Sequence, residues 1–318
     1  MSEPDFSMLK MAQLHKRQRS ESEATDLQSD EAFAGAKALW TKLRELKSVE
    51  IAMVCEPKLL EFQDAWGFLQ DAARQKAQKD RLLERYAEFV SEVDASTNEW
   101  KAVKKYVKGA LFFNDYLGYD DDDDPKAHFD WIYDEPGDER PEPNVYALYT
   151  LLGRCPRLAE PAIFLHSTKN NSELPHNDGV GYANPFCKSS WEAQVGKGCV
   201  NTTFMSTSLA PLENYLMPPL SEFYRRSWAN PGCCMCAITV DAGVPILPIA
   251  FQTTEPVWND GFKGEQEVLL PPGIVLVFQG MECVNFDRIV PNTGRVRSHK
   301  FRVFFYRAVL PSVVGIGA

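Results

Sequence analysis

Long hydrophobic runs are missing from this sequence of 318 residues. Nothing approaches the roughly 18 consecutive apolar residues that a bilayer-spanning helix needs. The opening stretch, Met1 to Ser20, is polar and lacks the apolar core of a secretory signal. Both absences lead to the expectation of a cytoplasmic protein with no membrane partner. Cysteine is sparse too. The eight are scattered (Cys55, Cys155, Cys187, Cys199, Cys233, Cys234, Cys236, Cys283), too few for a disulfide-built scaffold of this length, so reduced thiols are expected. Cys233 and Cys236 make one C-x-x-C, but no second pair or nearby histidine completes four zinc ligands, and no metal is expected. A Gly-rich fingerprint of the Rossmann or P-loop kind is also lacking at every strand-to-helix junction, so a dinucleotide would have to be held in another way.

Excess positive charge is absent, and its absence is local. The formal charge is −10, and the segment from Asp115 to Glu142 holds twelve Asp or Glu against Lys126 and Arg140, which accounts for all of it. The remainder is near neutral, and no Lys/Arg stripe interleaved with aromatics offers a footprint for a phosphate backbone, which argues against a nucleic-acid partner. The cluster Lys16-Arg17-Gln18-Arg19 fits a solvated tail.

What is present is an ordered change of texture. Residues 1–29 are rich in Ser, Glu, Asp and Lys without hydrophobic periodicity, and are expected to be a disordered tail. From Asp30 the apolar spacing is helical: Leu39, Leu43 and Leu46, then Phe62, Trp66, Leu69 and Ala73, then Leu82, Tyr86, Phe89 and Val93. Residues 30–95 therefore read as a helical unit whose work is packing. Ser96 and Glu99 have capping-box spacing, opening a helix that carries Trp100, Val103 and Val107 on one side. The run Asp120 to Asp124 repels itself and, with Pro125, Pro136, Gly137, Pro141 and Pro143, makes an acidic loop over 115–142. Asn144 to Leu152 reads as one more helix.

Beyond Pro161 the pattern becomes short apolar runs bounded by Gly, Pro and Asn. Strands are expected at Ala162–Leu165, Thr203–Ser208, Ala237–Val240, Ile246–Phe251, Glu267–Leu270, Ile274–Phe278 and Phe301–Val309, with a helical interlude over Pro211–Trp228. Pro248 marks its strand as an edge. Helices first and strands later argue for an α+β fold, a helical N-terminal part followed by a mixed sheet over residues 96–318.

One stretch stands out chemically. In Gly264-Glu265-Gln266-Glu267-Val268-Leu269-Leu270-Pro271-Pro272-Gly273, two carboxylates two residues apart lead into an apolar strand. Residues i and i+2 of a strand share a face, so Glu265 and Glu267 stand side by side at its mouth. Two like charges so placed must share a cation, a proton or a substrate hydroxyl, unless they are a solvated edge. Two further stretches precede it on expected strands, Phe164-Leu165-His166-Ser167-Thr168 and Phe204-Met205-Ser206-Thr207-Ser208-Leu209.

The second and third of these resemble the Ser-Thr-Ser and Glu-x-Glu motifs of the arginine-specific mono-ADP-ribosyltransferases, whose signature is Arg, Ser, Glu. The flanks agree as well: Phe204 to Leu209 matches aromatic-x-Ser-Thr-Ser-Leu, and Glu265 to Pro271 matches Glu-x-Glu-Val-Leu-Leu-Pro. Val107 to Leu117 looks like the helix ahead of the family's first catalytic strand, so the match runs over roughly residues 98–310. There is one departure. Where the family writes Tyr-Arg-Gly, this chain writes Leu165-His166-Ser167, which is closer to the His-Gly-Ser/Thr of the diphtheria-toxin and poly(ADP-ribose) polymerase group. Arginine offers a permanent charge and a planar fork for phosphate, whereas histidine offers ring nitrogens suited to a ribose hydroxyl. Arg154 and Arg157, just upstream, are the guanidinium candidates for the pyrophosphate.

The resemblance implies an ADP-ribosyltransferase core of two packed sheets around an NAD cleft, and an enzyme that moves ADP-ribose from NAD to an arginine of a target protein. NAD glycohydrolysis would be the side reaction. By that likeness Glu267, Glu265 and Ser206 are catalytic, and His166, Ser206, Thr207, Ser208 and Glu267 bind NAD. Trp258 and Phe262, in the loop ahead of Glu265, would recognise the target. Two other readings stand beside it: a degenerate NAD or ADP-ribose binding module of the same fold, and a poly-ADP-ribosyl or DNA-modifying transferase prompted by His166.

Overall fold

The computed structural model describes residues 30–47, 59–92, 97–118, 140–168, 195–209, 234–249, 267–289 and 296–315. The tail, most of the acidic loop and the interlude at 211–228 lie outside them. The chain divides into two compact units, Met1–Thr41 with Ala95–Thr150, and Lys42–Asp94 with Leu151–Ala318. This division differs from a single boundary at residue 95, because two of the N-terminal helices belong with the sheet. Among the described residues no helix is long and apolar enough to cross a membrane.

The first unit is helical. Its elements include α4 (Asn98–Lys108) and α5 (Ala110–Gly118), with parts of α1 (Asp30–Lys47) and α6 (Pro141–Arg154). Thr97 caps α4, its hydroxyl accepting from the Trp100 amide at 3.3 Å. The cap thus falls one residue later than the Ser96 spacing suggests, because Thr97 carries its own oxygen within reach of the third helical amide. The face α4 buries is Ala102, Val103 and Tyr106. Tyr106 meets Phe113 of α5 edge to face, centroids 5.4 Å apart. At the start of α6 the buried Glu142 accepts from the Arg140 guanidinium at 2.6 Å.

The second unit is the α+β core. The stripe Phe62, Trp66, Leu69 and Ala73 does not lie on one helix. It divides into α2 (Leu59–Leu69) and α3 (Ala72–Glu92). Asp71 is the reason: its Oδ1 accepts from the amides of Ala73 and Arg74, both at 3.0 Å, and so starts a new helix. One turn on, the buried Gln75 donates to the carbonyls of Phe68 and Leu69 at 3.0 and 2.9 Å, satisfying the end of α2.

Eight strands follow: β1 (Ala162–Thr168), β2 (Gly198–Val200), β3 (Met205–Ser208), β4 (Cys234–Val240), β5 (Leu247–Pro248), β6 (Glu267–Leu270), β7 (Val275–Ile289) and β8 (Val296–Val309). They form one ladder in the order β2-β7-β8-β4-β1-β3-β6-β5, with β4 and β8 parallel and the other pairs antiparallel. The two expected sheets are therefore two blocks of a single ladder. β1 pairs with β4 at seven positions, but with β3 only at Leu165↔Ser208. Pro248 lies on the edge strand, as its missing donor requires. β7 and β8 are far longer than their continuous apolar runs, because pairing continues through mixed polar and apolar residues beyond a bulge between Phe278 and Gly280.

Alternation along β1 serves two cores. Phe164 joins Met205, Ile238, Val268, Phe278 and Tyr306 with Leu82 and Tyr86 of α3. Leu165 joins Ala237, Val303 and Phe305 with Ala65, Phe68 and Leu69 of α2. The N-terminal end of β1 is tied to the turn after β4: the Gly243 amide donates to the Leu158 carbonyl at 2.8 Å, and the Leu158 amide to that of Val244 at 3.0 Å. Gly243 takes φ of 89° there, a conformation that a side chain would strain.

Two glycines make opposite predictions. A Cβ on Gly35 of α1 would overlap the Tyr146 ring of α6, whereas one on Gly67 of α2 meets nothing within 4 Å. Gly35→Ala is expected to destabilise by about 1–2 kcal/mol, overpacking outweighing the helix-propensity gain. Gly67→Ala is expected to stabilise by about 0.5–1 kcal/mol. Urea midpoints check both, and a stabilising Gly35→Ala would refute the close approach.

Candidate active site

The register of β3 on β6 builds the site. Ser208 lies opposite Glu267 and Ser206 opposite Leu269, so Ser206, Ser208 and Glu267 share one face of this pair. Diagonally across it, the Ser206 hydroxyl donates to Glu267 Oε1 at 2.6 Å. Thr207 faces the other way, is buried, and its hydroxyl donates to the Val268 carbonyl at 2.7 Å. Through that bond Thr207 ties the register that brings Ser206 and Glu267 together. Ser208 is buried beside them.

Glu267 is partly buried at the start of β6. Burial pushes its carboxyl above the ordinary glutamate range, and the hydrogen bond from Ser206 pulls it partly back. Its charged form is therefore costly, and any charge it carries is poorly screened by water.

His166 comes to the same strand by a different route. Its Nδ1 lies 2.7 Å from the Ser206 carbonyl oxygen. A carbonyl only accepts, so Nδ1 carries the proton, and in the neutral ring Nε2 is then the acceptor nitrogen. Beyond Leu165↔Ser208 no further register pair joins β1 to β3 among the described residues, and this ring spans the divergence. Arg157, by contrast, is held at the other end of β1, its guanidinium donating to the Gly243 carbonyl at 2.8 Å. Ala162 and His166 are roughly 13 Å apart along the strand. The structure therefore does not bring Arg157 to the Ser206 and Glu267 pair.

Glu265, Trp258 and Phe262 lie outside the described residues. A residue that sequence reasoning passed over is Gln78 of α3, whose side-chain amide binds the backbone of Ile163 in β1. No local signal marks it, since the partner is 85 residues away.

No family model matches the chain, and no curated protein matches it. Solved structures similar to it in fold include Plx2a, an ADP-ribosyltransferase toxin from Paenibacillus larvae, at 13% identity and TM-score 0.46, covering 74% of this chain and 96% of that one. Another is the Clostridium limosum C3 exoenzyme, at 17% identity and TM-score 0.43, covering 75% and 95%. A third is BECa, an ADP-ribosylating toxin of a C. perfringens binary enterotoxin solved with NADH, at 16% identity and TM-score 0.47, covering 73% of this chain and 48% of that one. The chain spans about half the length of this last structure.

Two predictions follow from the carboxyl. Removing the Ser206 hydroxyl removes a donor to the charged form, so Ser206→Ala should move the Glu267 midpoint further up, followed by carboxyl ¹³C NMR; a downward move contradicts the bond. The second concerns stability. Between the ordinary glutamate value and the raised one the folded state holds a proton that the unfolded state has released, so stability falls as pH rises through that window. Glu267→Gln should therefore melt higher than the parent at about pH 8, with the gap narrowing below about pH 5.

Proposed function

We propose that the chain is an NAD-dependent mono-ADP-ribosyltransferase acting on a protein arginine, with NAD hydrolysis when water is the acceptor. The observation that carries this reading is the 2.6 Å bond from Ser206 to Glu267, two residues drawn from motifs 61 positions apart. Breaking the bond between nicotinamide and C1′ of its ribose leaves an oxocarbenium-like cation, and nicotinamide departs neutral with the bonding pair. A carboxylate already fixed beside that carbon stabilises the charge where it develops. Glu267 is that carboxylate in this reading, and Ser206 holds its rotamer. Glu265 takes the proton that the guanidinium nitrogen loses as it attacks C1′, since an arginine with pKa above about 12 needs a positioned base.

His166 suits a ribose hydroxyl better than a phosphate. A histidine ring has an acceptor nitrogen in its neutral form, where an arginine has only donors, and here its Nδ1–H is committed to the Ser206 carbonyl. Ser208 and Thr207 belong to the NAD-binding strand, Thr207 from its buried side. Trp258 and Phe262 are proposed to recognise the target protein. Action in the cytoplasm belongs to the same reading, since eight scattered cysteines are too few for a disulfide-built scaffold.

The test is incubation with labelled NAD, alone and with poly-arginine, for the parent and for Glu267→Gln. Nicotinamide release and label transfer are expected from the parent, and both should fall roughly 10²–10³-fold in the variant. Parent protein that binds NAD without turning it over would favour the binding-module reading. Turnover indifferent to Glu267→Gln would overturn the site.

A further inference from the structure

Gln78 sits on α3, outside the stretch that resembles a transferase, yet it is joined to the first strand of the site. Its Nε2 donates to the Ile163 carbonyl and its Oε1 accepts from the Ile163 amide, both at 2.8 Å. The side chain is buried. Turned over, the same amide would set donor against donor and acceptor against acceptor, so its orientation is determined by Ile163. On its other side Ile163 pairs with Thr239 of β4. β3 ends at Ser208, opposite Leu165, and two residues earlier along β1 the glutamine supplies both backbone hydrogen bonds. A primary amide can do this because it carries one donor and one acceptor in a plane, as a peptide group does.

The bonds then run in series within four residues of β1. Ile163 is held by Gln78, Leu165 pairs with Ser208, and His166 holds the Ser206 carbonyl. Ser206 in turn holds Glu267. Gln78 also lines, with Gln75, Leu165 and Ser208, a cavity of about 10 Å³. Tyr86, two turns further along α3, donates to the Pro156 carbonyl at 2.5 Å and secures the helix at the approach to β1.

We propose that Gln78 is a positioning residue: its amide sets the placement of β1 against β3, and so of His166 and Ser206 around Glu267. The proposal rests on the transferase reading for its catalytic consequence.

Gln78→Glu tests it in the full-length protein. A protonated carboxyl keeps one donor and one acceptor for Ile163, whereas the ionised form has only acceptors and repels the carbonyl. The ratio of variant to parent kcat for NAD hydrolysis should be near one at about pH 5 and at least about tenfold lower at about pH 8, with KM for NAD changed less than about threefold. Taking the ratio at each pH removes the titration of Glu267, which both proteins share. Gln78→Leu, which offers neither group, should be slow at every pH. Hydrogen exchange gives a readout independent of turnover: in Gln78→Leu, amides of 162–168 and 205–208 should exchange at least about tenfold faster while those of β7 and β8 keep the parent rates. A ratio flat in pH with both proteins folded, or unchanged exchange in β1 and β3, overturns the proposal. A parent that never hydrolyses NAD sinks the transferase reading instead, and the exchange result still decides whether Gln78 positions these strands.

Discussion

The structure of the site depends on one hydrogen bond, from the Ser206 hydroxyl to the Glu267 carboxyl. A carboxylate at the edge of an apolar core is costly to ionise, and a short bond from a fixed hydroxyl offsets part of that cost. Direction is as important as energy. Because Ser206 is itself held at its carbonyl by His166, the bond fixes the carboxyl in space as well as in charge. Thr207 works from the other face of the same strand, and one tripeptide so supplies both the contact and the register that makes it possible.

Around this bond the scaffold is stiff where the site needs it. β1 is the element shared by both blocks of the ladder and by both apolar clusters. The segment leading into it is held by the turn after β4 and its Ile163 by α3, and that turn is itself secured by Asp241, whose two carboxylate oxygens accept from the Arg307 guanidinium of β8 at 2.8 Å each. A two-pronged pair of this kind fixes geometry better than a single contact. The C-terminal end of β1 is where pairing with β3 stops and His166 reaches across. His166, Ser206 and Glu267 thus meet where the pairing of β1 with β3 has ended, so their polar groups come together without breaking the ladder.

How legible this was depended on how local each feature is. The β6 stretch announced itself, since two carboxylates before an apolar strand are a pattern within seven residues, and the strand forms at Glu267–Leu270 as expected. Pro248 reported its own edge position, because a missing amide hydrogen is a property of the residue. The helix break at Asp71 was hidden, since the apolar stripe continues across it and only the capping bonds to Ala73 and Arg74 show where the first helix ends. The outer halves of β7 and β8 were hidden for a related reason: they are held by each other's backbone, and Glu282, Asn285, Asp287, Arg288 and Arg297 to Lys300 interrupt the apolar run by which a strand is recognised. Gln78 was beyond reach, for nothing in a helix-forming glutamine says that its amide will stand in for a strand.

The chain's order of residue types therefore determined the fold class, the placement of Ser206 and Glu267 on strands, and the chemistry those groups can perform. Those are properties of periodicity and side-chain type, which short stretches carry by themselves. Tertiary structure alone decided that Ser206 meets Glu267 across a diagonal, that His166 grips a backbone carbonyl while Arg157 is held at the far end of the strand, and that α3 belongs with the sheet. Each of these is a contact between residues tens of positions apart, and its geometry exists only once packing has set the register of one strand against another.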